Sequence, residues 1–186
     1  MHLSNIITSI YNIPYASLDK IVQLSEEIKY PKKYLISEEG TIKNSTYFLS
    51  KGLVRAFSTI NGKETTFWIG TEGHVICSMR NYVENKPSYE SIETLENCLL
   101  YKINNLSLEK LFLEDIHIAN WGRKFIEKEI IKTENQLIFQ LFHSGRERYQ
   151  YLLKNHPELL QRVPLGIIAS YLGMSQVSLS RIRANK

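Results

Sequence analysis

The chain has 186 residues, 43% of them hydrophobic and 23% charged, with nine Gly and five Pro, so it has room for one ordinary domain or for a larger domain carrying a small one, and no biased tract that would stay disordered. The net charge of +4 is uneven: Met1 to His143 holds 16 Lys/Arg against 17 Asp/Glu, while Ser144 to Lys186 holds seven against two, a basic end suited to a polyanion. No stretch approaches the roughly 20 apolar residues of a membrane span, and Met1 to Ile13 lacks a basic region followed by a long apolar run, which predicts a cytoplasmic protein with no membrane partner.

In chain order, Met1 to Lys29 carries apolar residues at helical spacing, with Leu18, Ile21, Val22 and Leu24 after Pro14, and predicts one or two short helices. From Tyr30 to Ile103 the pattern changes to short β-branched and aromatic runs: Tyr47-Phe48-Leu49, Leu53 to Phe57, Thr65 to Ile69 and Ser91 to Leu95. These are predicted strands, punctuated by Gly40, Gly52, Gly70 and Gly73. Asn61-Gly62 between two of them predicts a type I′ hairpin, because both central residues of that turn need positive φ. Many short strands without intervening long helices indicate an antiparallel roll or barrel rather than a parallel sheet.

After Asn104 the pattern is helical, with a short helix over Leu106 to Leu113 and a long one over Asp115 to Phe142. The long helix has two apolar stripes, one through Ile126, Ile130, Thr133, Leu137 and Leu141, the other through Trp121, Phe125, Ile131, Ile138 and Phe142. A helix apolar on two faces needs two partners: the β-roll for one and, for the other, the same helix of a second copy or further packing within the monomer. Ser144-Gly145 breaks the helix, Arg146 to Lys154 begins another, and Pro157 and Pro164 flank the connection to the last segment.

Pro164 to Arg183 has the residue types of a bent helix pair. Ile168 and Leu172 are one turn apart and face inward, Ala169 is small where helices must approach, and Gly173 ends the first helix in a left-handed turn. Met174 plugs that turn, Ser175 caps the second helix, and Leu179 and Ile182 anchor it. Ser175, Gln176, Val177, Ser178, Ser180, Arg181 and Arg183 are left facing outward. Gln bonds adenine and Arg bonds guanine at two points each, and Val can touch a thymine methyl. Arg183 and Lys186, with Arg146, Arg148 and Arg162 as further candidates, would hold phosphates on double-stranded DNA. The bland alternative is a helical hairpin with a solvated basic face.

A β-roll, a long helix and a C-terminal helix-turn-helix resemble the Crp/Fnr family of transcription regulators over nearly the whole chain. The sensor half of the resemblance rests on Tyr47 to Arg55, Asn61-Gly62-Lys63-Glu64 and Glu72-Gly73, the other half on Ile168 to Ser175 with Leu179-Ser180-Arg181-Ile182. The resemblance implies an α+β protein in which residues 1–114 form a cyclic-nucleotide-binding-like antiparallel β-roll of the double-stranded β-helix or jelly-roll type. Residues 115–143 would be a dimerisation helix and 144–186 a small, winged-type helix-turn-helix domain. It further implies a homodimer that regulates transcription, with RNA polymerase and a small-molecule effector as further partners. Gln176, Val177 and Arg181 fall on base-reading positions, and Val177 replaces an acidic residue frequent there, so the preferred DNA sequence should differ from that of the best-known members.

Members that bind cyclic nucleotides grip the ribose with a Gly-Glu pair and the cyclic phosphate with Arg-Ser or Arg-Thr, charge-assisted contacts a neutral residue cannot replace. Here those stretches read Cys77-Ser78-Met79 and Ser88-Tyr89, which argues against cyclic AMP. The effector-pocket candidates are Phe67, Trp68, Ser78, Met79, Arg80, Tyr82, Ser88, Tyr89 and Trp121, whose aromatics serve equally as core. No cofactor or metal is expected. Cys77 and Cys98, read as two buried thiols, are too few for an iron-sulfur cluster, and His74 and His117 lack a haem motif. No Ser/His/Asp set, phosphate-cradling Gly loop or H-x-H pair is present, so no enzyme activity is expected. The alternatives are a cupin-like metal enzyme and a ligand-binding module without DNA activity.

Overall fold

The computed structural model describes residues 1–184, so Lys186 lies outside the described residues. The chain forms two compact units, Met1–Ala56 with Ile69–Glu129, and Phe57–Trp68 with the chain from Ile130 onward. The first opens with α1 (Leu3–Ile10) and α2 (Tyr15–Gln23), followed by β1 (Glu26–Tyr30), β2 (Leu35–Ser37) and β3 (Ser45–Lys51). Next come β4 (Val54–Ile60) and β5 (Lys63–Gly70), whose connecting hairpin belongs to the second unit, then β6 (Val75–Ile76), α3 (Met79–Glu84), β7 (Ser91–Thr94) and β8 (Cys98–Asn104). The unit closes with α4 (Asn105–Glu114) and the first half of α5 (Ile116–Phe142).

The strands form two four-stranded sheets, β1-β8-β3-β6 and β2-β7-β4-β5, making an antiparallel β-roll of the expected class. In the first sheet Phe48 pairs with Tyr101 and Leu49 with Leu100, and the register shifts between Leu49 and Lys51. Successive strand residues point to opposite faces. Phe48 therefore joins the helix-side core of Leu3, Ile6, Ile7, Ile103, Leu111, Ile118 and Trp121, while Tyr47 and Leu49 are buried on the other face. The Trp121 indole donates to the Ile7 carbonyl at 2.9 Å, satisfying its one polar atom inside that core.

Gly52, at φ +105°, has a packing reason as well: a Cβ there would lie 2.6 Å from Cys98 Sγ and 3.0 Å from the Asn97 carbonyl. Asn61 and Gly62 take φ of +53° and +74°, as the type I′ turn requires. Asp115 caps α5 by accepting from the amides of His117 (3.0 Å) and Ile118 (3.4 Å).

Several elements depart from the sequence expectation. β1 occupies part of the stretch read as helical; its side chains are exposed or half-buried, so only its ladder to β8 reveals it. β2, β6 and β8 fall outside the runs that the sequence marks as strands, and α3 is a helix inside the stretch expected to be strands. A helix, α7 (Pro157–Arg162), fills what was read as a connection, with Pro157 in its first turn, where the missing N–H costs nothing. Among the described residues no helix is long and apolar enough to cross a membrane.

The second unit contains the β4–β5 hairpin, the rest of α5, α6 (Gly145–Asn155), α7, α8 (Leu165–Tyr171) and α9 (Gln176–Ala184). Ser144 and Glu147 form a reciprocal capping box, so Ser144-Gly145 starts α6 as well as ending α5. Within this unit the edge strand β5 bonds outward: the Thr66 amide donates to Ser170 Oγ (2.9 Å), and Gln136 Nε2 donates to the Phe67 carbonyl (2.6 Å).

Candidate functional site

The α8–α9 pair is built on its turn. Gly173, at φ +66°, lets the Met174 amide bond the Ala169 carbonyl (2.9 Å) and its own amide bond the Ser170 carbonyl (3.0 Å), a Schellman closure of α8. Ser175 Oγ accepts from the Ser178 amide at 3.1 Å and starts α9, with the two serine hydroxyls 2.9 Å apart. Ile168, Ala169, Leu172 and Leu179 are buried, and Ile182 and Met174 half-buried. At 0% exposure, Leu179 fixes which face of α9 turns inward.

The seven outward candidates, Ser175, Gln176, Val177, Ser178, Ser180, Arg181 and Arg183, are all solvent-exposed. Gln176, Val177, Ser180, Arg181 and Ala184 line a shallow open concavity. Gln176 rests its carboxamide over the first turn of α8, since a Cβ at Gly166 would lie 3.0 Å from its Oε1. Among the phosphate candidates Arg148 is already engaged, donating from Nη1 to the Gln140 carbonyl at the end of α5 (2.9 Å). That is an internal job for a residue read as a surface cation.

The effector-pocket candidates separate. Phe67 and Trp68 belong to the second unit. Ser78 caps α3, Ser88 donates to the Glu38 carbonyl (3.0 Å), Arg80 lies beside Glu84 (3.8 Å), and Tyr89 is half-exposed. Met79, Tyr82 and Trp121 do meet, in the wall of a cavity of about 450 Å³ in the first unit. Val75, Leu108, Phe112, Gly122, Phe125 and Ile126 complete much of that wall and were not anticipated. The helical spacing of Ala119, Gly122 and Ile126 on α5 is the one signal that could have suggested them. Burial pushes the Cys77 thiol and the Tyr82 hydroxyl up to about 12, so both stay protonated.

Glu90, two residues beyond Ser88, is buried, and its Oε2 has no hydrogen-bond partner among the described residues. Desolvation raises its pKa, against a lowering hydrogen bond from Ser78. Cys77 and Cys98 are free thiols, Cys98 buried and Cys77 half-buried rather than both buried. His74 Nδ1 accepts from the Thr71 amide at 3.1 Å. Among the described residues no cluster of His, Cys, Asp and Glu has the geometry of a metal site.

On the second half of α5 the apolar stripes are uncovered: Ile130, Ile131, Leu137, Ile138, Leu141 and Phe142 are each more than half exposed. Trp121 and Phe125, on the first half, pack into the helix-side core.

Residues 27–115 match the family model of the cyclic nucleotide-binding domain. FixK2 from Bradyrhizobium japonicum is similar in structure over 87% of this chain and 83% of its own, at 20% identity and a TM-score of 0.74. CLP from Xanthomonas campestris covers 92% and 91% at 18% identity and 0.75, and the catabolite activator protein of Thermus thermophilus covers 95% and 84% at 18% and 0.61. None of the curated proteins compared matches the chain. Residues 27–115 thus match a cyclic nucleotide-binding domain, and the chain shares its fold with those three proteins over most of its length.

Proposed function

We propose that the protein is a homodimeric, sequence-specific DNA-binding transcription regulator and not an enzyme. In this reading residues 1–114 form the sensor, 115–143 the dimerisation helix and 144–186 the DNA-binding module. The observation that carries it is the outward face of α9: Gln176, Val177, Ser180, Arg181 and Arg183 are exposed on a helix that Leu179 locks from behind. A short exposed helix with amide, guanidinium and small apolar groups matches the donors, acceptors and methyls of major-groove base edges. The basic tail supplies phosphate affinity without sequence choice. Dimerisation follows from the uncovered stripe on α5, because a contiguous apolar stripe on a long helix is stabilised by an identical helix beside it.

The roll does not take cyclic AMP. Neutral Ser78 and Ser88 stand where the resemblance puts the ribose-binding glutamate and phosphate-binding arginine, and the buried ionisable group two residues beyond Ser88, Glu90, is an acid. CLP, one of the structural neighbours, is described as responding to c-di-GMP, so the fold itself does not prescribe cyclic AMP. Selection of genomic fragments on the purified protein, with sedimentation to give the oligomeric state, tests the proposal. A dimer retaining fragments with a two-fold-symmetric motif supports it; a monomer, or failure to retain any fragment, refutes it.

A further inference from the structure

The cavity in the first unit lies on the helix-covered side of the first sheet, outside the roll interior. Its floor includes Thr46 and Val75, and Val75 belongs to the core cluster of Phe48, Leu108, Leu111 and Trp121. A concavity of about 450 Å³ is within the usual size of small-molecule sites, about 300–1,000 Å³.

The lining defines the ligand class. Aromatic rings come from Tyr82, Phe112, Trp121 and Phe125, the last two stacked at 9° with centroids 6.0 Å apart. At the rim, Arg123 and Glu127, the one cation and the one carboxylate of the lining, pair with each other, and Lys124, outside the lining, also reaches that carboxylate at 2.7 Å. Thr46 already donates to Asn105 Oδ1 at 2.9 Å. Tyr82 and Cys77 bring neutral donors, and Met79, 38% exposed, is a flexible side chain at the mouth. An anionic ligand would be desolvated without a counter-charge, a loss no apolar contact offsets.

We propose that this cavity is a binding site for an uncharged, largely aromatic or branched apolar small molecule. The size of the concavity, the pairing of its one cation with its one carboxylate and the rings on its walls all point to that class. The site stands independently of the DNA-binding reading, because its occupancy requires no duplex.

The test uses the full-length protein and N-phenyl-1-naphthylamine, a neutral aromatic probe whose fluorescence rises in apolar surroundings. Two variants accompany it. Met79→Glu places a charge at the partly exposed mouth, where folding tolerates it, and Ala119→Leu fills the void from α5. Saturable binding of one probe per chain, weakened about tenfold or more in both variants, is the expected result. Ala119→Leu should also keep or raise the melting temperature, because a filled void restores lost contacts. The proposal is overturned if the parent shows no saturable binding, if binding survives either variant, or if it appears only on dilution to monomer, which would mean that a second copy covers the cavity. Loss of probe binding with duplex binding retained would refute this inference alone.

Discussion

Replacing Gly173 with Ala probes the turn on which the outward face of α9 depends. At φ +66° an L-residue with a plain Cβ suffers a cost of about 1–2 kcal/mol. The new Cβ would also lie 3.0 Å from Gln140 Oε1. Shifting that side chain strains the bond from Gln140 Nε2 to the Tyr171 carbonyl (3.0 Å), a further contribution of about 0.5–1.5 kcal/mol if it is lost. Against this, Ala stiffens the unfolded chain by about 0.4–1 kcal/mol, leaving a net loss of about 0.5–3 kcal/mol. Gly173→Asn is the control: it carries the same Cβ but tolerates the left-handed region, so the difference between Ala and Asn reports φ alone. Urea unfolding with hydrogen exchange on the α8 and α9 amides would resolve the change. If Ala is as stable as Gly, or Asn as damaging as Ala, the turn is not what sets α9.

Asp115 is held down to about 2, first by Lys20 (2.7 Å) and then by Ser17 and the α5 amides. A lowered acid stabilises the fold above its ordinary value near 3.8, and the contribution is lost as pH falls toward 2. Asp115→Ala should cost about 0.5–2 kcal/mol at neutral pH, with a gap from the parent that closes in acid melts. Glu90 has the opposite sign: burial raises its pKa, so its ionisation weakens the fold as pH rises. Glu90→Gln should match the parent at pH 4 and exceed its melting temperature at pH 8, and equal melting at both would mean that Glu90 is not desolvated. Ile138→Lys, at a position 52% exposed, should shift sedimentation from dimer to monomer without changing the circular dichroism; an unchanged dimer would place the interface elsewhere.

The elements whose chemistry is local were legible in the sequence. Asn61-Gly62 announces its turn by φ preference, and Ala169, Gly173, Ser175 and Leu179 each have a stereochemical reason to stand where they do in a bent helix pair. β1 was hidden because a strand with largely exposed side chains is specified by its partner β8, 76 positions away at Glu26–Lys102. The cavity was half legible. Met79, Tyr82 and Trp121 were singled out for being aromatic or soft, but only the tertiary packing of α3, α4 and α5 decides that they share a void with Phe112 and Ile126 while Tyr89 faces solvent. Arg148 went astray for a similar reason: its composition says surface cation, and its bond to the Gln140 carbonyl exists only once α5 ends beside α6.

The most direct test of DNA recognition by α9 is the affinity of Arg181→Ala for a selected two-fold site and for random duplex, by fluorescence anisotropy at fixed salt. Loss of one base-reading arginine should weaken the selected site by about 1–3 kcal/mol, roughly 5- to 150-fold, and random duplex far less. Equal affinity of variant and parent for the selected site, or an equal loss on both duplexes, would contradict it.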